Sequence, residues 1–220
     1  NINGGIMKEV TKDSFKVLKH ILWYVVVLIV ILVLCLISKY FFIDQIQIID
    51  ENILKYINDT FVSNTLTGIM KVITVFGSAW VLIPLALILL ISLKNKKYGM
   101  LASINLLGVY LLNCIMKHIF ERPRPELQLV KETSYSFPSS HTMCSVAFYG
   151  LLIVLIHKKM KNKCIKYSLI ALLTMLVVLI AFSRLYLQVH YLSDVIMGAV
   201  FGLIILAMFV SILKYLTKEN

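Results

Sequence analysis

Six long apolar segments constrain this chain more than any other feature. Each has enough apolar residues, about 20, to cross a bilayer as a helix, which satisfies its own backbone hydrogen bonds. With 60% hydrophobic and 15% charged residues, the chain is too apolar for a soluble domain, where about 25% of residues are charged. The sequence therefore predicts an all-α integral membrane protein. Residues 1–220 would form a single domain with six transmembrane helices, at approximately 20–43, 64–93, 98–120, 138–157, 165–183 and 191–214.

The segment between the first two spans, residues 44–63, has a different pattern. It mixes acidic residues with isoleucine and leucine at helical spacing. This pattern predicts an amphipathic helix that lies at the membrane interface. Before the first span, residues 1–6 precede Met7, and we interpret them as a remnant of expression with Met7 as the native start.

The distribution of charge predicts the orientation. The two termini and the connections at 94–97 and 157–166 together hold 14 lysines and 3 acids, whereas the remaining connections hold 8 basic and 8 acidic residues. We expect the protein to lie in the plasma membrane, and the positive-inside rule then places both termini in the cytoplasm. This rule also accounts for the net charge of +11. No basic block is interleaved with aromatic residues outside the apolar segments, so we expect no nucleic-acid partner.

The arginines lie on the side that the positive-inside rule does not favour. An interfacial arginine is usually explained by contact with lipid head groups. Contact with head groups could explain one such residue, but it does not explain why four basic residues occur on this side together with three histidines and an aspartate. The guanidinium fork suits bidentate phosphate binding, so the set predicts a phosphate site at the outer face. Its members are Lys117, Arg122, Arg124, Arg184, His118, His141, His190 and Asp194.

Three local patterns contain most of these residues. Lys117 is followed by Arg124-Pro125, where proline disfavours helix and predicts extended backbone outside the membrane. Residues 138–141 read Pro-Ser-Ser-His, a helix start with free N–H groups that can bind an anion, although the serines alone could be a plain cap. His190 and Asp194 are four residues apart on one helix face, so the carboxylate can hold one imidazole nitrogen protonated and leave the other free to attack.

Together these patterns resemble the signature of the type 2 phosphatidic acid phosphatase family. That signature reads Lys, six residues, Arg-Pro; Pro-Ser-Gly-His; then Ser-Arg, five residues, His, three residues, Asp. The first part matches at Lys117 and Arg124-Pro125, and the third at Ser183-Arg184, His190 and Asp194. The single departure is Ser140, where the family has glycine. Among members, the chain looks most like the small bacterial membrane enzymes of the phosphatidylglycerophosphatase B kind.

The resemblance implies a metal-independent lipid phosphatase that needs no cofactor. His190, oriented by Asp194, would be the nucleophile and form a phosphohistidine, and His141 would be the general acid and base. The phosphate would be bound by Lys117, Arg124, Arg184, the Ser139 hydroxyl and the Ser140 N–H. The substrate would be a membrane lipid phosphate. Phosphatidylglycerol phosphate, phosphatidic acid and undecaprenyl pyrophosphate all remain open, as does the oligomeric state.

Two further interpretations stay open at this point. The same fold could serve as a non-catalytic lipid-phosphate binder or transporter. The intact histidines and Asp194 favour the enzyme, as does the lack of a mid-membrane helix break other than Pro84. Arg122 lies outside the signature. It could contact a second phosphate or a head group, but we favour a structural ion pair with its neighbour Glu121.

Overall fold

The computed structural model describes residues 2–41, 43–92 and 96–218, and all regular structure in these ranges is α-helical. Residue 42 of the first predicted span, the limit of the second at 93, and Asn1 of the expected remnant lie outside them. The helices are α1 (Ile2–Phe41), α2 (Ile43–Phe61), α3 (Asn64–Val75), α4 (Ala79–Ser92), α5 (Lys96–Phe120), α6 (Ser140–Lys159), α7 (Lys163–Tyr186) and α8 (Leu192–Lys218).

Six helical stretches of the described residues are long and apolar enough to cross a membrane. The prediction of an all-α membrane protein with six spans is therefore confirmed. Helices α3 and α4 together make the second stretch. The six are Leu18–Phe41, Asn64–Ser92, Lys96–Phe120, Ser140–Lys159, Lys163–Tyr186 and Leu192–Tyr215.

Helix α6 lies at the centre of the bundle, packed against α5, α7 and α8. Its Met143, Ala147 and Phe148 side chains are fully buried. The contact with α8 is especially close at Gly198, where an added Cβ would lie 2.9 Å from the backbone oxygen of Ser139. This approach brings the first turn of α8 beside the first turn of α6, which the sequence analysis assigned to the phosphate site.

Helix α2 is the predicted helix between the first two spans. One of its faces packs on the α7–α8 region, where Leu54 and Ile57 are buried with Tyr191. The opposite face is exposed and includes Ile48 and Tyr56. This two-sided pattern agrees with an amphipathic helix, and its seat at the membrane interface remains a prediction.

The second span is interrupted at residues 76–78, a break that the sequence analysis did not predict. Helix α4 continues through Pro84, whereas the backbone turns at Gly77. A Cβ on Gly77 would lie 2.6 Å from Cγ2 of Ile180 and 3.2 Å from Cδ2 of His141, so only glycine allows the chain to pass this close. The carbonyl freed at Phe76 accepts a 2.8 Å hydrogen bond from the Tyr149 hydroxyl, as a buried carbonyl requires.

Candidate active site

The three sequence patterns converge at one end of helices α5 to α8. The loop between α5 and α6 packs on the turn between α7 and α8, where the Leu129 N–H donates to the Leu187 carbonyl at 3.0 Å. The start of α6 is joined to α8 by a 3.1 Å hydrogen bond from the Ser139 N–H to the backbone oxygen of Asp194. Residues far apart in the chain therefore surround one buried volume.

The imidazole of His190 lies at the centre of this volume and is 1% exposed. Its Nδ1 is 3.4 Å from Oδ2 of Asp194, without the alignment of a hydrogen bond. Its Nε2 is 3.2 Å from Nη1 of Arg124. Burial lowers the pKa of His190 well below its ordinary value, helped by the charges of Arg184, Arg124 and Lys117. The ring is therefore neutral at neutral pH, as a nucleophile must be.

Asp194 is held by two donors besides its contact with the histidine. Its Oδ2 accepts from the Tyr191 N–H at 3.0 Å, and its Oδ1 accepts from Nη1 of Arg122 at 2.8 Å. The expected pairing of Arg122 with Glu121 is wrong, because this guanidinium bonds Asp194 and, at 2.8 Å, Asp50 of α2. Burial opposes the charge of Arg122, but the two aspartates more than offset it and raise the pKa of Arg122.

Arg124 and Arg184 lie side by side and share one carboxylate. Nη2 of Arg184 donates to Oε1 of Glu132 at 2.7 Å, and Nη2 of Arg124 is 3.8 Å from Oε2 of the same residue. Nη1 of Arg184 donates to the Thr74 hydroxyl at 2.7 Å. Burial lowers the pKa of Arg124, as does the charge of Arg184, and Glu132 and Asp194 only partly offset these effects. The two guanidinium groups thus form a carboxylate-binding pair, and the same geometry suits a phosphate.

The remaining predicted phosphate ligands lie around the start of α6. Lys117 is buried, and its Nζ donates to the Tyr135 carbonyl. The Ser139 hydroxyl is buried and accepts from the Thr142 hydroxyl at 3.0 Å. The Ser140 hydroxyl donates to Oδ1 of Asn113 at 2.6 Å. The extra atoms that serine has over the family glycine are therefore held by α5.

His141 stands where this polar region meets an apolar one. It is half-buried, lies beside Gly77, and is within electrostatic reach of Lys117, Arg124, Arg184 and His190. An apolar groove with a volume of about 560 Å³ runs from it between α4 and α5. Half-exposed side chains on its rim include Ile83, Leu87, Leu107 and Tyr110.

A second cavity, more polar and about 590 Å³ in volume, adjoins the groove. It shares Tyr110 and Ser140 with the groove and is also lined by Lys117, His118 and Ser134. His118 contacts the Cys114 carbonyl through Nδ1 at 2.8 Å. The apolar groove and the polar cavity thus meet at Tyr110 and at Ser140, the first residue of α6, next to His141.

The residues that contact this site and were missed by the sequence analysis include Asp50, Thr74, Gly77 and Glu132. Of these, Asp50 had a usable signal in the sequence, because this acidic residue falls at helical spacing on the same face as Leu54 and Ile57. Thr74 and Glu132 sit in segments without a distinguishing pattern. In the described ranges, no three His, Cys, Asp or Glu side chains are grouped as metal ligands would be.

Comparison with known proteins identifies the family. The family model of the PAP2 superfamily matches residues 98–218. The chain belongs to the PAP2 superfamily. This finding confirms the resemblance seen in the three motifs and makes the protein a multi-pass membrane lipid phosphatase of the metal-independent type.

Named relatives and a solved structure agree with this assignment. Phosphatidylglycerophosphatase B of Bacillus subtilis is 31% identical over 173 residues, which cover 74% of this chain and 82% of the relative. Undecaprenyl-diphosphatase of Sulfolobus acidocaldarius is 28% identical over 187 residues, covering 82% and 86% of the two chains. The crystal structure of a PAP2-type phosphatidylglycerolphosphate phosphatase from B. subtilis has a TM-score of 0.75, at 27% identity over 84% of this chain and 94% of that chain.

Proposed function

We propose that this protein removes phosphate from membrane lipids at the outer face of the plasma membrane, through a phosphohistidine at His190. One observation supports this reaction most directly. The His190 ring lies with Nδ1 toward the Asp194 carboxylate and Nε2 toward the Arg124 guanidinium. A neutral imidazole in this setting has a lone pair directed at a phosphate-binding group.

The first step is attack of His190 Nε2 on phosphorus, with cleavage of the bond to the leaving lipid oxygen. Arg124, Arg184 and Lys117 neutralise the phosphate oxygens as charge moves onto them in the transition state. His141 gives its proton to the leaving oxygen, and the phosphate dianion beside it favours the protonated ring before transfer.

The second step regenerates the enzyme. Neutral His141 takes a proton from a water molecule, whose oxygen attacks the phosphorus of the phosphohistidine. The bond between phosphorus and Nε2 breaks, and inorganic phosphate leaves. The Ser139 hydroxyl and the Ser140 N–H, at the N-terminus of α6, provide further donors to the phosphate.

The apolar groove supports a lipid as the substrate. It reaches His141 from the outer surface of the bundle, so a hydrocarbon chain in it would place its phosphate end at the catalytic histidines. The named relatives act on phosphatidylglycerophosphate and on undecaprenyl diphosphate. We propose that phosphatidylglycerol phosphate, phosphatidic acid and undecaprenyl pyrophosphate are the candidate substrates, to be assayed in parallel.

The break in the second span is the observation that would favour the alternative, a transporter. Transporters use interrupted helices whose free backbone groups bind substrate at mid-membrane. Here the carbonyl of Phe76 is already bonded to the Tyr149 hydroxyl, and Gly77 packs against Ile180 and His141. This packing supports a break that shapes the catalytic site.

The decisive experiment separates the two histidines. His190→Ala should abolish turnover and the phosphoenzyme, because it removes the nucleophile. His141→Ala should lose about 10²–10⁴-fold with a lipid phosphate but much less with an activated aryl phosphate, whose leaving oxygen needs little protonation. Asp194→Asn should have an intermediate effect, since it removes the carboxylate charge and disturbs the orientation and tautomer of His190 without deleting the nucleophile. Equal losses on both substrates for His141→Ala, or a phosphoenzyme in His190→Ala, would contradict these roles.

A further inference from the structure

The guanidinium of Arg122 joins two carboxylates from different parts of the chain. Nη1 donates to Oδ1 of Asp194 and Nη2 donates to Oδ2 of Asp50, both at 2.8 Å. The Arg122 side chain is 10% exposed and the aspartate side chains are 0% and 3% exposed. Arg122 also lies 4.2 Å over the Tyr191 ring. The site is therefore tied to α2, which precedes the region matched by the family model.

The Asp50 carboxylate accepts three hydrogen bonds at this junction. Its Oδ1 accepts from the Ser193 N–H at 3.0 Å, and its Oδ2 accepts from the Ser193 hydroxyl at 2.5 Å as well as from Arg122. The Ser193 hydroxyl in turn accepts from Nη1 of Arg122 at 2.7 Å. Asp50 thus fixes Arg122 and the residue next to Asp194 at the same time.

The charges of the junction do not cancel. Two carboxylates share one guanidinium, so Arg122 can offset the charge of only one of them when both are ionised. When Nε2 of His190 bonds to phosphorus, its ring gains positive charge, and Oδ2 of Asp194 lies 3.4 Å from its Nδ1. An Asp194 neutralised by Arg122 alone would stabilise that ring less. Because Asp50 also binds the guanidinium, Arg122 offsets less of the negative charge of Asp194.

We propose that Asp50 is a positioning residue for the histidine nucleophile, acting through Arg122 and Ser193 on Asp194. It holds Oδ2 of Asp194 toward the imidazole and preserves the negative charge that the phosphorylated ring requires. This inference rests on the proposed phosphohistidine reaction. It gives α2, a helix outside the signature motifs, an indirect part in setting the turnover rate.

The test compares Asp50→Asn with Asp59→Asn, the same change at an exposed position of the same helix. Asp50→Asn should lower kcat about tenfold, the effect of losing one hydrogen bond to a charged group. KM for the lipid phosphate and the inhibition constant of inorganic phosphate should stay unchanged, because Asp50 contacts none of the proposed phosphate ligands. Asp59→Asn should keep the kcat of the wild type.

The outcomes distinguish this inference from the proposed function. A wild-type protein that does not release phosphate from any of the three lipids would overturn both. An active wild type with equal kcat in the two variants would overturn only the positioning role, and so would a loss confined to phosphate affinity.

If Asp50→Asn does not purify as a monodisperse protein, Ser193→Ala replaces it, because it loosens the Asp50 carboxylate without removing a charge. For Ser193→Ala, a drop in kcat of less than tenfold at unchanged phosphate affinity would support the inference. An unchanged kcat would overturn it.

Discussion

Glu132 occupies the two arginines that are proposed to bind the substrate phosphate, so it should compete with that phosphate. The perturbation is Glu132→Gln, which removes the charge and keeps the shape. A hydrogen bond to a charged group contributes about 1.5–3 kcal/mol. Glu132 is 29% exposed while Arg184 is 2% exposed, so solvent screening reduces this contribution to about 1–2 kcal/mol. The release of that bond corresponds to roughly 5- to 30-fold in affinity.

The assay is inhibition by inorganic phosphate, measured with the purified protein and a lipid phosphate. The inhibition constant should fall by the factor given above in Glu132→Gln. Glu126→Gln is the matched control, because it removes an exposed carboxylate from the same loop and should change the constant by less than about twofold. If the inhibition constant of Glu132→Gln were unchanged or higher, Glu132 would be a support for Arg184 and the competition argument would be refuted.

Three further outcomes are expected. Gly77→Ala should lower kcat, because the new Cβ meets Ile180 and His141 in overpacking that costs about 1–3 kcal/mol. Gly68→Ala is the control, because a Cβ there has nothing within 4 Å, and equal kcat values in the two variants would refute the close-packing argument. The introduced cysteine of Leu127→Cys should react with an impermeant thiol reagent in intact cells, whereas Cys164, exposed at the start of α7, should react only after permeabilisation. The reverse labelling pattern would refute the predicted orientation. Phosphate release should persist in EDTA and be blocked by vanadate, and loss on chelation that magnesium restores would show a metal requirement.

The sequence predicts the features that depend on local spacing. The spans follow from the length of the apolar segments. The i, i+4 interval also predicts that His190 and Asp194 lie close together, although the expected shared helix face is wrong, because α8 begins only at Leu192. The signature also places Arg124 and Arg184 in one site. The spans and the histidine–aspartate pair need only residue type and distance along the chain, whereas the placement of the two arginines depends on the resemblance to the family.

Contacts between distant segments were beyond this reasoning. Arg122 and Asp50 are 72 residues apart, and Arg184 and Thr74 are 110 apart. Which acid pairs with Arg122 is decided by how α2 packs on α7 and α8, so the adjacent Glu121 was the wrong choice. The break at Gly77 depends on the approach of α6 and α7, because an isolated glycine in an apolar segment does not by itself end a helix.

The position of the groove between α4 and α5 determines which measure of substrate concentration should control the rate. Its rim is formed by side chains of two membrane spans, so lipid would reach His141 by diffusing in the plane of the bilayer. Collisions then occur in two dimensions, and the rate should follow the mole fraction of substrate among the surrounding lipids or detergent molecules. Adding inert detergent at a fixed bulk amount of substrate would therefore slow the reaction by dilution within the micelle surface, with every contact in the catalytic site unchanged.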